Sequence, residues 1–356
     1  MNFREELGKI APKIKDGAGI YVFGAGENWC FIKRMYKSIA HVNLEEYVDA
    51  FLDNDSQKHD TEFFGKKIIS PNRIDLSNSV ILIAANKYKN YAIERQLHGM
   101  GLFWRSDFFE SQYFHIILKR YLYTQLVLFK NKHSGERCFI IGNGPSLRIE
   151  DLDKLKNEVT FATNKIYLTY KETDWRATYF VIEDPLIMDA HKEINRNVKG
   201  VKFYCLSSAL NYEDFYAENA CFFDHDHRIN YRPYPYEVEF STKPDFLIWS
   251  HTVTYSCLQL AAYMGFKEIY LLGIDHNFAI QRKRNGEIIT NDIQNHFSAE
   301  YDSSKNRHFI EMDIDLATSA YECARVYAEK NNIKIKNATR GGNLEVFERV
   351  DFDSLF

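Results

Sequence analysis

The same local pattern occurs twice in this chain, an apolar run that ends in Gly-x-Gly. The first copy is Gly19-Ile-Tyr-Val-Phe-Gly-Ala-Gly and the second is Arg137-Cys-Phe-Ile-Ile-Gly-Asn-Gly-Pro-Ser-Leu. An apolar run bounded by glycines reads as a strand entering a tight turn, and after the first copy a helix-compatible apolar spacing follows from Asn28 to Ile39. Strand, glycine turn and helix open a βαβ unit, which commits the chain that follows to a parallel sheet with helices on its faces. Tyr47 to Asp55 reads as a strand ending in acidic residues. Apolar runs at 80–85, 158–162, 178–182, 202–206 and 267–273, with helical stretches at 89–100, 254–264 and 314–331, continue the alternation. Outside the glycine turns the two halves share no residue-level similarity. The expected fold class is therefore α/β with two Rossmann-like units, and not an internal repeat.

A length of 356 residues exceeds what one typical domain needs. From Phe108 to Lys130 the sequence turns from polar to thickly apolar, with Phe114, Ile117, Tyr121, Leu126 and Phe129, as a helix packed between two domains would. The hydrophilic Asn131-Lys-His-Ser-Gly-Glu-Arg after it is a natural boundary. The expected division is an N-terminal Rossmann-like domain over 1–109, a helical linker over 110–135 and a second domain over 136–356.

Composition narrows the function. Lysine and arginine total 45 against 49 acidic residues, a formal charge of -4, so there is no basic excess to neutralise nucleic-acid phosphates. The six cysteines stand singly, with no CxxC pair, which points away from a zinc site or a disulfide framework and toward a reduced, cytoplasmic chain. No window reaches the roughly 18 uninterrupted apolar residues of a membrane span. The first residues lack a charged-then-apolar signal pattern. Peripheral association with the inner face of a membrane, and homo-oligomerisation, stay open.

The two glycine turns differ in what they can hold. Gly24-Ala-Gly-Glu-Asn-Trp keeps two glycines of a dinucleotide fingerprint but has Trp29 where the third would stand. Asp53 follows Gly24 by 29 residues, against about 20 for a ribose-binding carboxylate. A tight turn without a cofactor is the preferred reading. In the second turn Gly142 and Gly144 let backbone approach a ligand, Asn143 offers an amide, Pro145 suits a first helical position, and Ser146 can cap the next helix while its N–H groups face an anion. Other strand ends bring Asn164, Asp184 and Asp275 to the same edge, a set suited to a polar ligand with many hydroxyl and amide groups.

Gly142-Asn-Gly-Pro-Ser-Leu, Asn164, Thr252-Val-Thr and the run from Ala261 through Gly273-Ile-Asp275 resemble the bacterial sialyltransferases of glycosyltransferase family 42. They are still more similar to the related 6-hydroxymethylpterin diphosphokinase-like family, which includes motility-associated flagellin glycosyltransferases. Asn337-Ala-Thr-Arg-Gly-Gly-Asn-Leu-Glu-Val-Phe-Glu-Arg-Val is similar to the C-terminal signature of that second group. The resemblance covers residues 136–356 and implies a GT-A-like, sialyltransferase-like domain. Such a domain would move a nonulosonic acid from a CMP-activated donor to a glycan or glycoprotein acceptor in bacterial surface-polysaccharide or flagellin glycosylation. It implies no cofactor beyond the CMP-sugar donor and no divalent metal. Gly142, Asn143, Gly144, Ser146, Asn164, Asp184, Thr252 and Thr254 would then bind the donor, with Arg340 beside the exposed N–H groups of Gly341 and Gly342.

Transfer to a hydroxyl needs a base, and an imidazole is the usual agent near neutral pH. Family 42 enzymes place a histidine shortly before their last helix, whereas this chain reads Glu311-Met-Asp-Ile-Asp there. The candidates are His296, in a polar 291–305 loop long enough to act as a lid, then His276, then His308, with Asp275, Asp313 and Asp315 as carboxylates nearby. Tyr301, Lys305, Arg307 and Arg340 could meet the leaving phosphate. Asp224-His-Asp-His227 alternates metal-ligand types but does not complete a site and reads as a solvated loop, with Arg228, Tyr231, Tyr234 and Tyr236 continuing it. The tyrosine-rich remainder, Tyr212, Phe215, Tyr216, Phe297 and Tyr301, suits a carbohydrate acceptor. The alternatives are a pterin-type diphosphokinase using ATP, for which no Gly-x4-Gly-Lys-Ser/Thr loop is present, and a non-catalytic nucleotide-sugar-binding protein.

Overall fold

The computed structural model describes residues 1–85, 87–212, 215–226, 238–302 and 311–356. His227, Arg228, Tyr231, Tyr234, Tyr236, Lys305, Arg307 and His308 lie outside the described residues. The chain is α/β with parallel sheets of Rossmann type and divides into two compact units. One is Met1–Thr124 and takes in Phe215 and Tyr216 as well; the other is Gln125–Tyr212 with Ala217–Phe356. Among the described residues no helix is long and apolar enough to cross a membrane.

In the first unit the strands β1 (Gly19–Phe23), β2 (Ala50–Leu52), β3 (Glu62–Phe63), β4 (Lys66–Ile69), β5 (Ser79–Ile83) and β6 (Phe108–Phe109) lie in the order β3-β4-β2-β1-β5-β6, parallel except at β3. The inner strands β2 and β5 are buried throughout and carry no alternation because both faces are covered, whereas β3 and β4 toward the edge carry Glu62, Lys66 and Lys67. Gly24 has φ 114°, and a Cβ there would stand 2.9 Å from the Ala84 carbonyl oxygen. Trp29, fully buried, sits edge-on against Phe51 and Phe114, so a packed indole fills the position where a dinucleotide fold has its third glycine. The Asp53 carboxylate is spent locally. Lys58 and the Asp55 N–H hold it; burial pushes its pKa up, but these bonds outweigh that and the net shift is downward.

In the second unit β7 (Arg137–Ile141), β8 (Thr160–Thr163), β9 (Tyr179–Ile182), β10 (Val201–Cys205), β11 (Ala220–Phe223) and β12 (Glu268–Leu272) are followed by a small sheet of β13 (Ile280–Arg282), β14 (Ile288–Thr290) and β15 (Met312–Asp313), then by β16 (Lys334–Asn337). The main sheet has the order β11-β10-β9-β8-β7-β12-β16, and every pair in it is parallel. The helix Val253–Tyr263 is buried nearly all round, as a helix apolar on every face must be. Its Gln259 is satisfied by the Ser241 and Ile248 N–H groups and the Ile248 carbonyl. The helix Ile314–Lys330 buries Leu316, Ala317, Ala320, Tyr321, Ala324 and Ala328 at the three-and-four spacing of one face.

Candidate active site

Successive strands β8 to β11 step away from β7 on one side, while β12 and β16 lie on the other. The connections therefore diverge between β7 and β12, and open α/β sheets bind ligands at the carboxyl ends of strands at such a reversal. The two strand ends are packed backbone to backbone. Gly142 N donates to the Leu272 carbonyl at 2.8 Å and Gly144 N to the Gly273 carbonyl at 2.9 Å. A Cβ at Gly142 would collide with the Gly273 carbonyl, and one at Gly144 with the Asp275 carboxylate. Asp275 reaches back across the gap, where its Oδ2 accepts from the Ser146 hydroxyl at 2.7 Å and from the Ser146 N–H at 3.3 Å. Burial raises the Asp275 pKa, and the two Ser146 bonds oppose the rise. The Asp275 backbone carbonyl accepts from Asn343 N at 2.7 Å.

Ser146 does not cap a helix, contrary to expectation. Pro145 and Ser146 form a turn and the next helix, Ile149–Lys154, begins only after Arg148, because the serine hydroxyl is committed to Asp275.

An open cleft of about 1390 Å³ extends from this point along the carboxyl edge of the sheet. Asn143, 8% exposed, points its Nδ2 at the Thr163 carbonyl (3.1 Å) and hydroxyl (3.0 Å), which fixes the amide orientation because a carbonyl can only accept. Its Oδ1 is buried without a partner among the described residues, and so is the Oδ1 of Asn164, whose backbone is left-handed at φ 53°. Asp184 accepts from Leu186 N at 2.8 Å and so starts the turn Pro185–Met188; burial raises its pKa, the Leu186 bond opposes, and the neighbouring Glu183 charge adds to the rise. Thr252 and Thr254 line the cleft at the start of the helix Val253–Tyr263, with the Thr252 hydroxyl 3.4 Å from that of Tyr321.

Both described histidine candidates lie in the cleft. His276, at φ 51°, places Nε2 2.8 Å from the Thr318 hydroxyl, and burial pushes its pKa down to about 4. The imidazole is neutral at pH 7. His296 stacks on Tyr301 with ring centres 3.7 Å apart. Phe297 joins this segment to the glycine turn, its N–H donating to the Asn143 carbonyl at 2.9 Å. Arg340 is elsewhere: its guanidinium grips Asp151 at 2.7 and 3.0 Å and Asp353 at 2.9 Å, and it is absent from the cleft lining. Of the aromatic remainder Tyr212 and Tyr301 line the cleft, while Phe215 and Tyr216 belong to the first unit.

The cleft floor holds a buried group that the sequence did not flag as one. Glu183 Oε2 accepts from the Ser256 hydroxyl at 2.5 Å and lies 3.3 Å from His225 Nε2, while His225 Nδ1 lies 3.5 Å from Cys205 Sγ. Burial alone would lower the His225 pKa. Hydrogen bonding and electrostatic attraction to Cys205 and Glu183 outweigh that and lift it to about 10. The Asp224-His-Asp string gave a partial signal, but the partners of His225 come from the residue after β9, from β10 and from the helix Val253–Tyr263. Among the described residues no group of three or more His, Cys, Asp or Glu side chains is placed to hold a metal. Trp249 and His251 also line the cleft, their rings 4.2 Å apart. Sequence reading missed both, although His251 immediately precedes Thr252.

Residues 113–281 match the model of the family described as MptE-like, 6-hydroxymethylpterin diphosphokinase MptE-like. The match takes in the Gly142–Ser146 turn, Asp184 and Asp275 and stops short of His296. No curated protein matches the chain. Among solved structures, that of the MAf glycosyltransferase from Magnetospirillum magneticum AMB-1 aligns at 14% identity with a TM-score of 0.41, over 99% of this chain and 62% of that one. The chain thus spans less than two thirds of the length of that protein.

Proposed function

We propose that the cleft is the donor site of a glycosyltransferase that moves a nonulosonic acid from a CMP-activated donor to a glycan or glycoprotein acceptor, without a divalent metal. The observation that carries the reading is the pair of buried amide oxygens, Asn143 Oδ1 and Asn164 Oδ1, at adjacent strand ends with no donor among the described residues. A buried polar atom left unpaired costs about 1–3 kcal/mol. A ligand carrying N–H and O–H donors, such as the amino edge of cytosine and the ribose hydroxyls, removes that cost on binding. The resemblance of the Gly142–Ser146, Asn164 and Thr252–Thr254 segments to sialyltransferases supplies the reaction class.

Calorimetry with CMP, UMP, AMP and GMP in the presence of EDTA tests the reading. CMP binds with the highest affinity, and Asn143→Ala and Asn164→Gly each weaken it by about tenfold, the glycine retaining the left-handed backbone. Absence of binding by any of the four nucleotides overturns it. The name of the matched family favours one other reading, a pterin diphosphokinase, since the amino edge of a pterin would meet the same two oxygens. Consumption of ATP with 6-hydroxymethylpterin, without CMP binding, is the result that selects it.

A further inference from the structure

Of the histidines proposed from sequence, the two that are described already have partners. His276 is hydrogen-bonded to Thr318, and His296 lies flat on Tyr301. The buried group on the cleft floor offers a recipient for the acceptor proton. Glu183 follows the last residue of β9, next to β8, whose end is followed by Asn164, and it lines the cleft while only 7% exposed. Its Oε2 is fixed by the Ser256 hydroxyl and the His225 imidazole, and among the described residues no hydrogen bond engages Oε1. His225 cannot serve the ligand directly, because Nε2 faces Glu183 and Ser256 and Nδ1 faces the fully buried Cys205. Burying a carboxylate and an imidazole together brings little stability on balance, and such pairs concentrate at functional sites.

We propose that Glu183 is the catalytic base that takes the acceptor's hydroxyl proton, with Ser256 and His225 as the residues that position it; this rests on the glycosyl-transfer reading above. In the step, the acceptor oxygen bonds to the anomeric carbon, and the bond from that carbon to the phosphate oxygen breaks with its electron pair leaving on the nucleotide. The hydroxyl proton passes to Glu183 Oε1 and is later released to water. The carboxylate is oriented through one oxygen and reacts through the other, so positioning and proton transfer do not compete.

The test uses the full chain with CMP-, UDP- and GDP-activated sugars and water or a simple glycoside as acceptor, reading nucleotide release. Glu183→Gln keeps the shape and the hydrogen bond from Ser256. It is expected to lower kcat by roughly a hundredfold or more while nucleotide affinity stays within about twofold of the parent. His225→Gln is expected to lower kcat with KM unchanged, which a packing defect spread over the cleft would not do. Glu183→Gln retaining half of parental turnover overturns the inference and leaves the donor reading intact. Loss of nucleotide affinity in Glu183→Gln marks a structural residue and overturns it too. Absence of turnover by the parent with every donor overturns the donor reading itself, and the base with it.

Discussion

Ser146 and Asp275, separated by 129 residues in sequence, are joined by a 2.7 Å hydrogen bond across the gap between β7 and β12. That bond closes the point at which the sheet's connections part. Gly144 has to be a glycine because the Asp275 carboxylate fills the space a side chain would need. Asp275→Ala would leave the Ser146 O–H and N–H without their acceptor and open a void beside Gly144. The expected loss is about 1.5–3 kcal/mol in urea unfolding, with Asp275→Asn, which keeps an acceptor, recovering most of it. A loss below about 0.5 kcal/mol in Asp275→Ala would show that the bond does not hold the turn.

His276 makes the fold acid-sensitive in a defined window. Its pKa is lowered from 6.5 to about 4 by burial, so the folded state favours the neutral imidazole. The contribution to stability is complete above the ordinary value and is lost as the pH falls through the folded one. Unfolding free energy between pH 7 and pH 4 should therefore fall more steeply in the parent than in His276→Gln, the difference approaching about 3 kcal/mol. Parallel pH profiles for the two proteins would refute this.

Arg340 separates stability from ligand binding. It holds the buried Asp151 carboxylate with two hydrogen bonds and shares Asp353 with Lys154. Arg340→Gln strands Asp151 and is expected to cost about 2–4 kcal/mol in thermal or urea unfolding, while nucleotide affinity stays within about twofold. The opposite outcome, full stability with weakened binding, would return Arg340 to the site.

The parts of this molecule that could be read from sequence are those decided by local burial. Strands such as Tyr179–Ile182 and Glu268–Leu272, and the helix Val253–Tyr263, were expected to within about two residues. A strand covered on both faces is an unbroken apolar run, and a central helix is apolar all round. The edge strand Lys334–Asn337 escaped notice because two lysines stand in its four residues, as suits a strand with one side open. The hairpin of β13 and β14, whose turn carries Gly286 at φ 85°, is polar and mostly exposed and gives no burial signal. The edge bearing Asn143, Asn164, Asp184 and Asp275 was legible because strand ends define it. The commitments of individual side chains were not. Ser146 to Asp275, Arg340 to Asp151 and His225 to Glu183 each pair residues far apart in the chain, and local spacing holds no trace of such pairs.

The contact between Trp249 and His251 gives the cleft an optical signal of its own. The chain has four tryptophans. Trp29 and Trp175 are fully buried, Trp104 belongs to the first unit, and Trp249 lines the cleft. Its indole emission responds to whatever displaces water from the cleft or shifts the neighbouring imidazole. Occupancy of the site can thus be followed as a change in intrinsic fluorescence, without a label and before any substrate has been identified.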